Sequence, residues 1–382
     1  MVAIIARFSV LLYVSFRSFR SGQSGPIQLK PATDALFPSG QKGLHYGGHP
    51  KEPMTPTPYT GERIQDHGVD VIRLADAGNG VEVLIAPSIG NRAYAMNVGG
   101  ANILHMPPVN ISELKELCGI PLLAPWANRI PGGGFHANGK WFAFNESLGV
   151  LRMHKDHVAI HGMLLFSNLW QVTDVGADST GAWVVSKLEF WRYPSLMANW
   201  PFAHEYEMTY RLSAGELETT VAVKNLSAEA MPVVVGFHPY FKIPGVPRSE
   251  WMARIPARSQ VMVDDHFCAT GEFRPNPLPD PTPLATTVLD DGFTDLIREP
   301  DGTTLFWLEG GGRRVEVSFG PKWLVGIVYA PAGKEFICFE PMVALTNGVN
   351  LASEGKYDAL QTVEPGGVWS ESFRVRGLHF PL

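Results

Sequence analysis

What constrains this chain most is a periodicity it lacks. No segment sustains the 3.6-residue apolar repeat of a substantial helix, and short strand-biased runs recur between turn signals instead. "VDVIRLADAGNGVEVLIAP" reads as two strands around Gly78-Asn79-Gly80, and "TLFWLEGGGRRVEVSF" as a second hairpin turning at Gly310-Gly311-Gly312. "WVVSKLEF", "HEYEMTYRL", "LETTVAVKNL" and "MPVVVGF" lie between them, the last with Val233-Val234-Val235 as its strand; "FICFE" and "SFRVRGL" close the series. The one plausible short helix is "ISELKELCG" (111–119), with Ser112 as N-cap and Gly119 as stop. The 39 glycines and 31 prolines supply the turns that so many short strands require. The expected fold is all-β, a large antiparallel β-sandwich with few short helices.

Hydrophobic residues at 45% allow one sizeable core, and neither an internal repeat nor a linker divides the chain after residue 60. Residues 17 to about 59 are rich in Ser, Gly, Pro and Thr, so we assign 1–59 to an irregular extension and 60–382 to a single domain. "MVAIIARFSVLLYVSF" is apolar apart from Arg7, but it falls short of the ~20 residues of a membrane span. Its basic start is weak for a signal peptide and no small-residue cleavage site stands out, so a mis-called start of the reading frame is a third reading. A cytoplasmic protein with no stable membrane span is the expectation, with export through this apolar segment as the alternative. The formal net charge of −6 gives no electrostatic footprint for nucleic acid. Cys118, Cys268 and Cys338 are far apart and odd in number, so they form neither a disulfide framework nor a zinc spacing.

Five stretches carry chemistry. In "GIPLLAPWANRIPGGGF", Arg129 stands alone in an apolar, Pro/Gly-punctuated segment, either to hold a ligand with its planar fork or to pair with a carboxylate at the core edge. In "HKDHVAIHG", His157 and His161 are four apart, as metal ligands on a helix would be. Val158, Ile160 and Gly162 read as strand then turn, however, and residues four apart on a strand stand ~13 Å apart. His161 is therefore better read as a single imidazole at a strand end. In "PVVVGFHPYF", Pro239 holds His238 extended at another strand end, with Tyr240 and Phe241 as walls. His238 is either a proton-transfer group or a core histidine bonded to backbone. In "FICFEPMVALTNGVN", Glu340 emerges from an apolar run before Pro341, either as a carboxylate that desolvation raises toward useful basicity or as a paired structural carboxylate. "LDDGFTDL" brings Asp290, Asp291 and Asp295 near an aromatic, a pattern that ordinary turn chemistry also produces. Phosphate-binding P-loop, dinucleotide and G-x-S-x-G signatures do not occur.

In this order, "PWANRI", "AIHG", "PVVVGFHPYF", "LDDGF" and "CFEPMVALTNGVN" resemble the aldose 1-epimerase (galactose mutarotase) family over about residues 60–382. The resemblance implies a galactose mutarotase-like supersandwich that interconverts the α and β anomers of a free aldose without cofactor or metal. It implies His238 as general acid, Glu340 as general base, and Asn128, Arg129, His161, Tyr240 and Asp290 as sugar-binding residues. Trp126 or Phe241 would pack on the sugar's apolar face. Asp290 is preferred to Asp291 because it precedes Phe293 by three positions, and Gly90-Asn91 departs from the glycine pair of many relatives. The rival readings are a hexose-6-phosphate 1-epimerase, a non-catalytic carbohydrate-binding protein of the same fold, and a glycosidase using Asp290 with Glu340. A phosphate would call for further basic residues at the site, and Arg313, Arg314 and Lys322 fall on or after a hairpin.

Overall fold

The computed structural model describes residues 57–381. The apolar N-terminal run and the extension up to residue 56 therefore lie outside the described residues.

Alternation along the strands builds two facing sheets. His204–Ser213 and Glu216–Asn225 bury every second side chain, as a strand with one core face must. They lie at the centre of a nine-stranded antiparallel sheet, in the order 171–178, 181–189, 204–213, 216–225, 368–378, 313–319, 304–310, 252–254, 282–283. The second sheet has eight strands and runs 269–275, 257–263, 289–296, 325–330, 337–342, 236–237, 122–123, with Tyr240–Phe241 also pairing with Ile337–Met342. A five-stranded meander covers 59–102. Aromatics join the two large sheets. Phe306 of the nine-stranded sheet lies 5.5 Å from Phe339 of the eight-stranded one, ring centre to centre, and Phe373 lies 5.0 Å from Phe237. The expected antiparallel sandwich is thus present, and both expected hairpins form, at 69–86 and 304–319.

Ile337–Met342 is buried throughout. Phe339 faces the nine-stranded sheet, so Cys338 and Glu340 point to the opposite face, away from it. Register extends that face sideways. Asp290 pairs with Tyr329, Tyr329 with Cys338, and Cys338 with Tyr240, which sets four side chains in one row across four strands. Ile327 pairs with Glu340 in the next row.

Three local expectations are corrected. The stretch 111–119 forms only a 3-10 turn, Ile111–Glu113, preceded by Asn110 and followed by an extended Leu114. So short a helix needs tertiary packing to persist. Here Arg92 takes the Glu116 carbonyl at 3.1 Å while Leu114 and Cys118 are drawn into a cluster with Val71 and Tyr94. Val233-Val234-Val235 is a buried connector rather than a strand. Its backbone bonds go singly to Gln361, Ala127 and Val343, and ladder pairing resumes at Gly236–Phe237. "LDDGFTDL" is a strand, Leu289–Leu296, rather than a turn. A first strand at Tyr59–Asp66 also precedes the expected start of the pattern at Val69.

Candidate active site

The outward face of the eight-stranded sheet holds a cavity of about 200 Å³ lined by Leu117, Asn128, Arg129, His161, His238, Tyr240, Asp290, Ile327, Tyr329 and Glu340. The seven residues that the resemblance assigns to proton transfer and sugar binding all line it.

Backbone geometry sets each one. His238 follows strand Gly236–Phe237, and its N–H donates to the Pro121 carbonyl at 3.0 Å. Its ring lies flat on Tyr240, 4.7 Å away with a 5° interplanar angle, so Tyr240 fixes the imidazole as well as walling the cavity. His161 adopts φ +61° and donates its N–H to the Asn128 carbonyl at 2.7 Å; Asn128 has φ +53°. This close crossing explains Gly162, where a Cβ would sit 2.1 Å from the Ala124 carbonyl oxygen. Arg129 enters from strand Arg129–Ile130, which pairs with Val158–Ile160.

The centre is an acid–base contact. His238 Nε2 lies 3.2 Å from Glu340 Oε1, with both residues buried. Burial, reinforced by Asp290 and opposed by Arg129, holds the Glu340 carboxyl well above the usual carboxylate range. Burial also pushes His238 down to about 3, with Arg129 and Arg152 adding to the effect. Both shifts favour the uncharged form of the group concerned, and two groups in contact titrate as a pair rather than singly. Burial likewise lowers His161 well below the ordinary imidazole value, helped by His238 and Arg129.

Around this pair, buried polar atoms lack protein partners: Glu340 Oε2, His238 Nδ1, His161 Nδ1 and Arg129 Nε. Each such atom costs about 1–3 kcal/mol unless something satisfies it. A core histidine in this same chain shares the unpaired ring nitrogen, at His204 Nε2, but does not line this cavity. His204 Nδ1 bonds the Phe202 carbonyl at 2.6 Å, and its ring stacks on Phe190. Arg129 does not take the structural alternative either. Among the described residues no carboxylate oxygen lies within 4.0 Å of it, and its guanidinium sits 5.0 Å over the Phe267 ring.

The two aspartates separate. Asp291 accepts a 2.6 Å bond from Gln260 Nε2, whereas Asp290 opens onto the cavity, its carboxyl raised by burial against the opposing pull of Arg129. His157 is exposed against Glu146 at 2.8 Å, apart from the buried His161. Trp126 and Phe241 are fully buried, stacked on Phe144 and tilted against Phe339 respectively, so neither is placed to meet a sugar; this corrects the expected packing. Tyr329, Ile327 and Leu117 went unread in the sequence. The first two sit inside an ordinary strand run, VGIVYA, and only their pairing with Asp290, Cys338 and Glu340 brings them to the cavity.

Fold and site together define an antiparallel β-sandwich with a small cavity built around a buried histidine–glutamate pair on one sheet face. Comparison with known proteins makes the class specific. The aldose 1-epimerase family model matches residues 97–376, and the chain belongs to that family. The galactose mutarotase-like protein of Clostridium acetobutylicum superposes with a TM-score of 0.74 at 23% identity, covering 84% of this chain and 98% of that one. The galactose 1-epimerase of Lactobacillus acidophilus NCFM superposes with a TM-score of 0.64 at 15% identity, again over 84% and 98%. Among curated proteins, the uncharacterized protein YihR of Escherichia coli K12 is 29% identical over 146 residues, which is 38% of this chain and 43% of that relative's length.

Proposed function

We propose that this protein interconverts the α and β anomers of a free aldose, with His238 and Glu340 as its catalytic pair. The observation that carries the proposal is the buried His238–Glu340 contact, surrounded by polar atoms that the protein leaves unpaired.

Ring opening of a hemiacetal needs a proton removed from the C1 hydroxyl and one delivered to the ring oxygen. A pair holding one proton meets both demands at once, because one partner is always able to give and the other to take. In the tautomer that places the pair's shared proton on His238, Glu340 takes the hydroxyl proton as His238 protonates the ring oxygen and the C1–O5 bond breaks. The aldehyde turns about C1–C2. Reclosure from the other face reverses the transfers and returns the pair to its starting state. General acid–base assistance of this kind is worth ~10²–10⁴-fold. Arg129, Asn128, His161 and Asp290 hold the sugar hydroxyls, and Tyr240 holds the imidazole in line, which contributes through orientation.

The charge of the cavity favours an unphosphorylated sugar. Arg129 is its one basic lining residue among the described ones, facing Asp290 and Glu340. Arg313 donates to the Pro244 carbonyl, Arg314 pairs with Glu309, and Lys322 donates to the Ser370 carbonyl, so none lines the cavity. Polarimetry of freshly dissolved α-D-galactose and α-D-glucose tests the reading. The protein should accelerate relaxation to the equilibrium rotation, and the Glu340→Gln variant should not. Acceleration confined to hexose 6-phosphates would instead select the phosphorylated-sugar reading. Release of nitrophenol from nitrophenyl glycosides would select the glycosidase reading.

A further inference from the structure

The acid–base pair has a third neighbour with no part in the chemistry above. Cys338 lies two residues before Glu340 on the same strand and face, beneath Tyr240 and Tyr329, its partners on the flanking strands. One ligand atom from each of His238, Cys338 and Glu340 falls within 4.8 Å of the other two, and all three residues are buried. We propose that His238, Cys338 and Glu340 form a binding site for a thiophilic divalent cation of the Zn²⁺ type, and that its occupation shuts off the acid–base pair.

The donor set decides the class of ion. A thiolate, an imidazole and a carboxylate select zinc-like ions, whereas magnesium and calcium prefer all-oxygen shells. Bond lengths of about 2.0–2.3 Å separate tetrahedral ligands by about 3.5 Å, so the widest pair has only about 1 Å to close.

A second observation points the same way. Glu340 Oε2 has no protein hydrogen-bond partner, and Glu340 is only 1% exposed. A buried oxygen with an unused lone pair is a donor waiting for an electron acceptor. His238 and Glu340 line the 200 Å³ cavity, which gives an ion a route to them. Asp290 adds negative potential there, and the Arg129 guanidinium offsets part of it. The other two cysteines lack such a set: Cys118 packs on Met106 and Arg92, and Cys268 sits against the backbone of its own hairpin.

On binding, the Cys338 thiol and the His238–Glu340 pair each lose one proton to solvent, and sulfur, imidazole and carboxylate donate to the ion with no change in oxidation state. The ion takes the lone pairs that His238 and Glu340 would use for proton transfer. Binding rests on the geometry alone, whereas the loss of activity rests on the function proposed above. The test keeps these separate.

The full-length protein is titrated with Co²⁺, following the near-ultraviolet thiolate-to-cobalt charge-transfer band, and with Zn²⁺ by calorimetry. Cys338→Ser and Cys338→Ala are run in parallel, with circular dichroism to check their folding. The wild type should develop the band at one equivalent, and both variants should lose it and bind Zn²⁺ at least tenfold more weakly. A wild type without the band, or variants that keep it, overturns the site whether or not the protein is a mutarotase. Polarimetry then tests the consequence. Zn²⁺ should stop mutarotation in the wild type, EDTA should restore it, and Cys338→Ala should keep its basal rate while tolerating at least tenfold more Zn²⁺. Unimpeded turnover by the Zn²⁺-loaded protein overturns the inhibition.

Discussion

Glu340 is the residue on which the chemistry turns. Burial raises its carboxyl well above the usual range, it lies 3.2 Å from His238, and one of its oxygens has no protein partner. Gln fills the same volume but cannot take a proton. Glu340→Gln should therefore lower kcat by about 10²–10⁴-fold with little change in KM or in the unfolding midpoint. An unchanged kcat would remove Glu340 from the mechanism. The neighbouring aspartates give a sharper contrast because they differ only in what holds them. Asp291 is tied to Gln260 and Asp290 faces the cavity. Asp290→Asn should raise KM for the sugar by about 10- to 100-fold, a hydrogen bond to a charged group being worth about 1.5–3 kcal/mol, and Asp291→Asn should leave KM within about twofold. Equal effects in the two variants would contradict the assignment of the sugar contact to Asp290.

Among the elements, the crossing at His161-Gly162 shows how a turn builds a site. Both residues have positive φ, and the Gly162 backbone touches the Ala124 carbonyl. A methyl group there meets both a steric and a conformational penalty, so Gly162→Ala should lower stability by about 1–3 kcal/mol and raise KM by displacing His161. Urea unfolding monitored by tryptophan fluorescence, together with steady-state kinetics, reads both. This turn was legible in the sequence because a Gly after a strand-like run marks a strand end. His238 and Glu340 were legible for a similar reason, since each stands before a proline at the end of an apolar run. Tyr329 and Cys338 were not. Each looks like any strand residue, and only the register that sets Asp290, Tyr329, Cys338 and Tyr240 in one row gives them a place beside the cavity. The first strand, Tyr59–Asp66, escaped notice because its side chains are mostly exposed or half-buried and carry little apolar alternation. The stretch 111–119 misled in the opposite sense, since its cap signals are genuine but tertiary contacts claim its backbone.

For the whole molecule, the sandwich buries a histidine away from the cavity that stays neutral when folded. His204 is fully buried between Phe190 and Tyr206, and burial pushes it down to about 4, against a small opposing effect of the Phe202 carbonyl. Its unfolded value is about 6.5. Between these values the unfolded chain binds the proton and the folded chain does not, so stability rises with pH across that window. The contribution is complete above about pH 6.5 and is lost as the pH falls toward 4, for a total of about 3 kcal/mol at 1.36 kcal/mol per unit. Urea midpoints measured from pH 4 to 7 should show this slope, and His204→Asn should flatten it; an undiminished slope in the variant would shift the cause to other groups. The sandwich itself depends on the aromatic seam between its sheets. Phe339 is fully buried against Phe306, and Phe339→Ala should cost about 3–5 kcal/mol, seen as a lower thermal midpoint. A midpoint within a degree or two of wild type would mean that the seam is not what joins the sheets.

The central claim is that one buried pair carries out ring opening in both directions. Proton exchange spectroscopy on an equilibrated solution of D-galactose tests it most directly, because at equilibrium the forward and reverse conversions run at equal rates. The wild-type protein should produce exchange cross-peaks between the α and β anomeric protons, and His238→Asn and Glu340→Gln should each abolish them while retaining the wild-type circular dichroism spectrum. Cross-peaks that persist in either variant would contradict the account.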